Sequence, residues 1–268
     1  MNALIFRGNE PIERIAPNDR GLAYGDGLFE TLLADQGELV WWDRHWRRLS
    51  AGALRLAIEL PEERVMKSAA LELAQQRRAV IKIILTRGGS GRGYAPVSAP
   101  GTIIVSLHPA PAIQDAPIAL RWCRTQIARQ PALAGLKHLN RLENVLARSE
   151  WATSDYADGL MCDGQGDVIC ATSANLFIFR NRRWRTPDLS HCGIDGVTRQ
   201  WLLESVPDVL VERMSREHMM QADAVFVCNS VRGMMEVNRI ETINMPECGA
   251  FKELQQRFLA CNPAFATG

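Results

Sequence analysis

The stretch Leu133-Ala-Gly-Leu-Lys137-His-Leu-Asn-Arg-Leu-Glu143 sets one lysine in a mostly apolar run just ahead of a helix-forming segment. Lysine is rarely buried without a partner. When it is, its pKa falls and the neutral amine becomes a nucleophile toward aldehydes. Taken alone, the commoner reading of Lys137 is an exposed loop side chain, and of His138 a partly buried structural histidine. The rest of the chain has to decide.

Downstream, Gly193-Ile-Asp-Gly196-Val-Thr-Arg199 opens a segment expected to be helical over 197–205, stopping before Pro207. Glycines let the backbone approach an anion, and the N–H groups of Val197 and Thr198 would stand at the positive end of the helix. An ordinary glycine-rich helix entry fits the same letters. Asn229-Ser230, after a strand expected over 223–228, could add polar donors. Upstream, His45-x-x-Arg48-Leu49 puts His45 and Arg48 on one helical face, or else forms a solvated basic face with Arg44 and Arg47. Thr86-Arg87-Gly-Gly-Ser-Gly-Arg92-Gly-Tyr94 follows a strand. Its forked arginine cations suit a carboxylate, although charged glycine-rich loops without ligands are as common.

Periodicity predicts two α+β units. In the first, strands over 28–33 and 38–42 flank the turn Asp35-Gln36-Gly37. Asp43 caps a helix over 44–57 with Leu49, Ala53, Leu56 and Ala57 on one face. A helix over 62–76 and strands over 79–86 and 101–108 follow. In the second, a strand over 120–125 and a helix over 139–154 precede two hairpins, 159–162 with 168–170 and 176–180 with 184–186. The proline-rich run over 111–117 reads as a linker between a smaller domain, 1–110, and a larger one, 118–268, with a ligand cleft between them. The stretch after Phe258 reads as a loose tail, and Trp41, Trp42 and Trp46 as core and interface.

Bulk composition narrows the partners. A formal net charge of +1 over 268 residues offers no field for nucleic acid or an anionic membrane. No apolar run approaches the ~20 residues of a bilayer span, and the first residues lack a signal-peptide core. Seven scattered cysteines without a C-x-x-C pair fit free thiols in a reducing cytoplasm. A small-molecule substrate is expected.

Together and in order, the motifs resemble one group. Asp19-Arg-Gly-Leu-Ala-Tyr24-Gly-Asp-Gly-Leu-Phe-Glu30-Thr31, His45-x-x-Arg48-Leu49, Thr86-Arg-Gly-Gly-Ser-Gly-Arg92, Ala174-Asn-Leu-Phe177, Gly196-Val-Thr-Arg199 and Cys228-Asn-Ser230 look like the fold-type IV enzymes dependent on pyridoxal 5'-phosphate (PLP). That group includes D-amino-acid and branched-chain aminotransferases and aminodeoxychorismate lyases. The lysine stretch and Arg92-Gly-Tyr94 are most similar to the lyases. The resemblance implies an α+β two-domain fold with PLP at the domain junction, usually in a homodimer. It implies that Lys137 carries the cofactor imine and Arg48 binds its phosphate. The amides of Val197 and Thr198, with Asn229 and Ser230, would complete the phosphate cup, and Arg92, Tyr24 and Glu30 would face the substrate. The activity implied is release of 4-aminobenzoate and pyruvate from 4-amino-4-deoxychorismate; an aminotransferase or a weakened paralogue is the alternative.

One position departs from the pattern. Five residues before the asparagine of Asn-Leu-Phe the group has a glutamate that bonds the PLP pyridine nitrogen; here that residue is Cys170, with Thr172 as the nearest polar substitute. A thiol is a weak neutral donor, so the ring would be a poorer electron sink. Transamination, which needs a persistent carbanion, should suffer more than an elimination driven by aromatisation.

Overall fold

In the computed structural model the described residues are 3–89, 91–96, 98–113 and 116–266. They divide into two units, Met1–Pro111 with Leu136–Asn140, and Ala112–Gly135 with Arg141–Gly268. Lys137 therefore belongs with the first unit, whereas the sequence expectation placed all of 118–268 in the second. Two residues of the expected linker, Gln114 and Asp115, lie outside the described residues, as do Ser90 of the glycine-rich loop and Thr267 and Gly268 of the tail.

The first unit contains β1 (Ala3–Arg7), β2 (Glu10–Ile12), α1 (Arg20–Tyr24), β3 (Gly27–Asp35), β4 (Glu38–Leu39), α2 (Trp42–Leu56), α3 (Glu63–Ala74), β5 (Ala79–Thr86) and β6 (Thr102–Pro109). Its antiparallel sheet has the order β2-β1-β6-β5-β3-β4. The run Ala-Val-Ile-Lys-Ile-Ile-Leu-Thr of β5, apolar apart from Lys82 and Thr86, lies inside the sheet, paired antiparallel with β3 and β6. α2 packs on β3 and α3 on β6 and β5, burying Leu32, Ile81, Val105, Ala53 and Met66. The second strand of the expected hairpin ends at Leu39, not residue 42. Trp41 takes a left-handed conformation (φ 57°) and α2 begins at Trp42, so Asp43 lies in the first turn and is not the cap. Packing decides this: Trp42 is buried, stacks on Trp46 at 5.9 Å and donates its indole N–H to Glu63 at 2.7 Å.

The second unit contains β7 (Ile118–Trp122), α4 (Leu142–Arg148), β8 (Asp158–Cys162), β9 (Val168–Ala171), β10 (Asn175–Arg180), β11 (Arg183–Pro187), α5 (Val197–Ser205), β12 (Leu210–Glu212), α6 (Arg216–Met220), β13 (Ala224–Asn229), β14 (Gly233–Ile240), β15 (Ile243–Asn244) and α7 (Gly249–Cys261). The sheet order is β12-β11-β10-β13-β14-β7-β8-β9, with β15 beside β14. β14 joins two hairpin sets, antiparallel to β13 and parallel to β7, and side chains such as Leu120, Leu160, Leu176, Val227 and Val237 form the core beneath.

Two expectations fail here. The helix expected over 139–154 is only Leu142–Arg148, because the preceding residues are extended alongside β3: the Phe29 N–H donates to Lys137 O at 2.9 Å and the Leu139 N–H to Gly27 O at 3.0 Å. The stretch after Phe258 is not loose. α7 continues to Cys261, a 3-10 turn follows at Pro263–Phe265, and buried Phe265 packs on Phe258 at 5.3 Å. Both rings approach Gly233, where a Cβ would lie 3.1 Å from Phe258. No helix among the described residues is long and apolar enough to cross a membrane.

Candidate active site

The backbone bonds between Leu136–Asn140 and β3 hold Lys137 at a fixed register, with an antiparallel bridge between Leu28 and His138. Close approach needs Gly27, where a Cβ would fall 2.4 Å from Leu85 O and 2.8 Å from the Leu139 side chain. The Lys137 ammonium stands 4.2 Å from the centre of the Phe29 ring, a position that favours a cation yet leaves Nζ on an apolar surface.

Glu30, the next residue of β3 after Phe29, is buried at 1% exposure. Arg48 donates Nε to one carboxylate oxygen at 2.8 Å and a terminal nitrogen to the other at 2.5 Å, and His45 Nδ1 lies 2.6 Å from the second oxygen. Burial pushes the Glu30 pKa up, but the charge and hydrogen bonds of Arg48 and the bond from His45 outweigh it and leave it at about 2. Burial also pushes the His45 pKa down, only partly offset by Glu30. The face that could have been a solvated basic stripe is thus built on a buried carboxylate. Glu30, expected to face the substrate, instead has both oxygens committed within the unit.

The glycine-rich loop is tied down by Arg20, to which the sequence reading gave no role, by Arg87, and by Tyr24, which was expected to face the substrate. Arg20, buried at 4%, donates to Asp26 at 2.8 Å, to Gly93 O at 2.9 Å and to Tyr94 O at 3.0 Å. Arg87 binds Asp26 from the other side at 2.8 Å and caps α2 through the Leu56 and Ala57 carbonyls. Tyr24 packs against Tyr94 at 5.4 Å and accepts from the Gly93 N–H at 3.2 Å. Arg92 is exposed on this anchored loop.

In the second unit, Gly196 N-caps α5 in extended conformation and lies so close to Asn175 that a Cβ would sit 2.0 Å from its Oδ1. Asn175 in turn donates to Ile194 O at 2.9 Å. The first-turn amides of Val197 and Thr198 have no carbonyl within the helix to accept them. The Thr198 hydroxyl is buried and finds no hydrogen-bond partner among the described residues. Asn229, expected as a phosphate donor, is spent on the β13–β14 turn: Oδ1 accepts from the Val231 and Arg232 amides at 3.0 and 2.8 Å, and Nδ2 donates to Ser173 O at 3.3 Å. Ser230 is half-buried in the same turn.

Residues 27–240 match the model of the amino-transferase class IV family. The chain belongs to the class IV aminotransferase family. It is 35% identical over 240 residues to an aminodeoxychorismate lyase of Vibrio harveyi, covering 86% of this chain and 89% of that one. The 4-amino-4-deoxychorismate lyase structure from Pseudomonas aeruginosa superposes with a TM-score of 0.90 at 38% identity, covering 98% of this chain and all of that one. The PLP-bound structure of a hypothetical aminotransferase from Mycobacterium tuberculosis shares the fold at a TM-score of 0.80 and 20% identity, over 96% of this chain and 98% of that one.

This class IV member keeps Cys170 as a neutral thiol. The side chain is buried on β9 among Met161, Ile169 and Cys192, and burial, reinforced by the charge of Asp158, drives its pKa far up. Arg141, its own pKa lowered by burial, is the cation that acts on it. Thr172 does not substitute, because its hydroxyl donates to Asp158 at 2.5 Å.

Proposed function

We propose that this class IV protein is a PLP-dependent lyase that converts 4-amino-4-deoxychorismate to 4-aminobenzoate and pyruvate. The observation that carries the reading is Lys137, fixed by β3 with its amine over Phe29, within a stretch that resembles the lyases. In the first unit the residues fit the cofactor, with an amine for its aldehyde and Arg48 for its phosphate. The second unit by itself offers an anion-suited helix entry, the α5 amides beside a buried Thr198 hydroxyl that has no partner among the described residues. When bound, PLP supplies an electron sink for charge developing on the amine-bearing carbon.

This chain's own residues do the rest. Nζ of Lys137 takes the proton from the amine-bearing carbon, and the same Nζ returns a proton to the departing enolpyruvyl fragment. The Phe29 ring keeps one face of that amine dry. Arg20 holds the loop that presents Arg92 to a substrate carboxylate. The new aromatic ring supplies the driving force, so the protein contributes orientation and one proton shuttle. Cys170, a neutral thiol where the resemblance implies a glutamate, would give the ring nitrogen no anionic partner. That suits the short-lived charge of an elimination better than the longer-lived one of amino transfer.

The working form is a cytoplasmic homodimer. Leu142, Val145 and Leu146 form an exposed apolar stripe along α4, at 69%, 60% and 52% exposure, which a second copy would cover. A paired assay tests the activity. The protein with PLP receives either 4-amino-4-deoxychorismate, or a D- or branched-chain amino acid with an oxoacid. Aromatic amine from the first and no transfer in the second is expected; amino transfer at a comparable rate would replace this reading with an aminotransferase.

A further inference from the structure

His45 is among the most enclosed polar residues of the first unit, at 1% exposure. Its Nδ1 lies 2.6 Å from Glu30. Because Glu30 is ionised, that nitrogen must carry the hydrogen and donate it. In a neutral ring this leaves Nε2 as a bare lone pair, and Nε2 is buried with no hydrogen-bond partner among the described residues. An unmatched acceptor in such a place costs free energy in the unliganded protein, and a ligand hydrogen removes that cost.

Charge accounting says what the ligand brings. The Arg48 fork is already matched by Glu30, so the pair adds little net attraction for a dianion. The charged groups that act on His45 are Glu30 from β3, Arg48 from its own helix and Lys137 from the strand beside β3. Lys137 is the amine that the cofactor aldehyde requires. That leaves His45 as the group in this cluster able to gain a positive charge. We propose that His45 is a proton-accepting ligand of the cofactor phosphate: its Nε2 stays bare in the unliganded protein and takes a proton when the phosphate dianion binds. The proton comes from solvent and no other bond is made or broken. Nε2–H then donates to a phosphate oxygen while Nδ1–H keeps its bond to Glu30, as in other carboxylate–histidine pairs that orient a ring toward an anion or metal. The lowered pKa of the unliganded ring fits its neutral starting state. This inference rests on the reading of Arg48 as a phosphate ligand.

The test uses the full chain stripped of cofactor and pyridoxamine 5'-phosphate as probe, which has the phosphate but no aldehyde to react with Lys137. With five histidines in the chain, ¹⁵N NMR resolves the His45 ring. At pH 7.5 it is expected to pass from the neutral Nδ1–H form to the doubly protonated form as the probe binds. Calorimetry in buffers of differing ionisation heat is expected to show extra proton uptake that His45→Gln lacks, with affinity in that variant about tenfold lower or more, the size of a charge-assisted hydrogen bond. Probe that binds while the wild-type ring stays neutral overturns the inference alone, whatever the variant does. Failure of the wild type to bind the probe overturns the cofactor reading and this inference with it.

Discussion

Replacing Glu30 by glutamine removes the charge from the buried cluster while keeping nearly the same shape. The carboxylate has a pKa of about 2 against an ordinary 4.5. That depression corresponds to about 3 kcal/mol of stability at neutral pH. The variant also strands a nine-tenths buried arginine, and breaking a buried pair from one side costs about 3–5 kcal/mol. The two routes describe one loss and agree in size. The sign follows from the direction of the shift. A depressed pKa gives stability that is fully present above 4.5 and is lost as pH falls toward 2, so the difference between wild type and variant must shrink over that window. Urea unfolding of the cofactor-free chain at pH 7 and at pH 3 measures both. Expected are a Glu30→Gln variant less stable by about 3 kcal/mol at pH 7 and a smaller gap at pH 3. A variant as stable as wild type at pH 7, or a gap unchanged by acid, would refute the picture of Glu30 as an ionised anchor.

Other positions give independent checks. Thr198→Val removes a buried hydroxyl that lacks a partner among the described residues; cofactor-free stability should stay within about 1 kcal/mol while pyridoxamine phosphate binds about tenfold more weakly, as calorimetry would show. Gly196→Ala drives a Cβ to 2.0 Å from Asn175, which should cost about 1–3 kcal/mol in unfolding experiments and release PLP on dialysis. Cys170→Glu supplies the anionic partner for the ring nitrogen; amino transfer should rise about tenfold or more with lyase turnover little changed, and a variant with both activities unaltered would sink the argument about the thiol. Val145→Glu places a charge in the apolar stripe of α4, and sedimentation should show a monomer.

How far the sequence could be read depended on whether local pattern or distant packing decided each element. β5 and α5 were legible to the residue, the first as an apolar run broken only by Lys82 and closed by Thr86, the second as a glycine entry closed by Pro207. β14, Gly-Met-Met-Glu-Val-Asn-Arg-Ile, gave no clean alternation because it is enclosed by β13, its hairpin partner, on one side and by β7, more than a hundred residues earlier, on the other. α1 is too short for a period, and the stretch after Phe258 reads as a tail because its order comes from Phe258 and Phe265 packing near Gly233. Lys137, Arg48 and the α5 entry were visible as motifs. The closure of Glu30 on His45 and Arg48 was not, since it joins a strand to a helix across fifteen residues or more. Asn229 looked like a ligand because turn-forming and anion-binding asparagines are written with the same letter.

The central claim is that Lys137 drives the release of an aromatic amine, and product analysis of the wild type beside Lys137→Ala tests it most directly. Purified protein with PLP and 4-amino-4-deoxychorismate should give 4-aminobenzoate and pyruvate in equal amounts, and the variant neither. The same products from the variant, or none from a wild type whose Lys137 is trapped on PLP by borohydride, would contradict it.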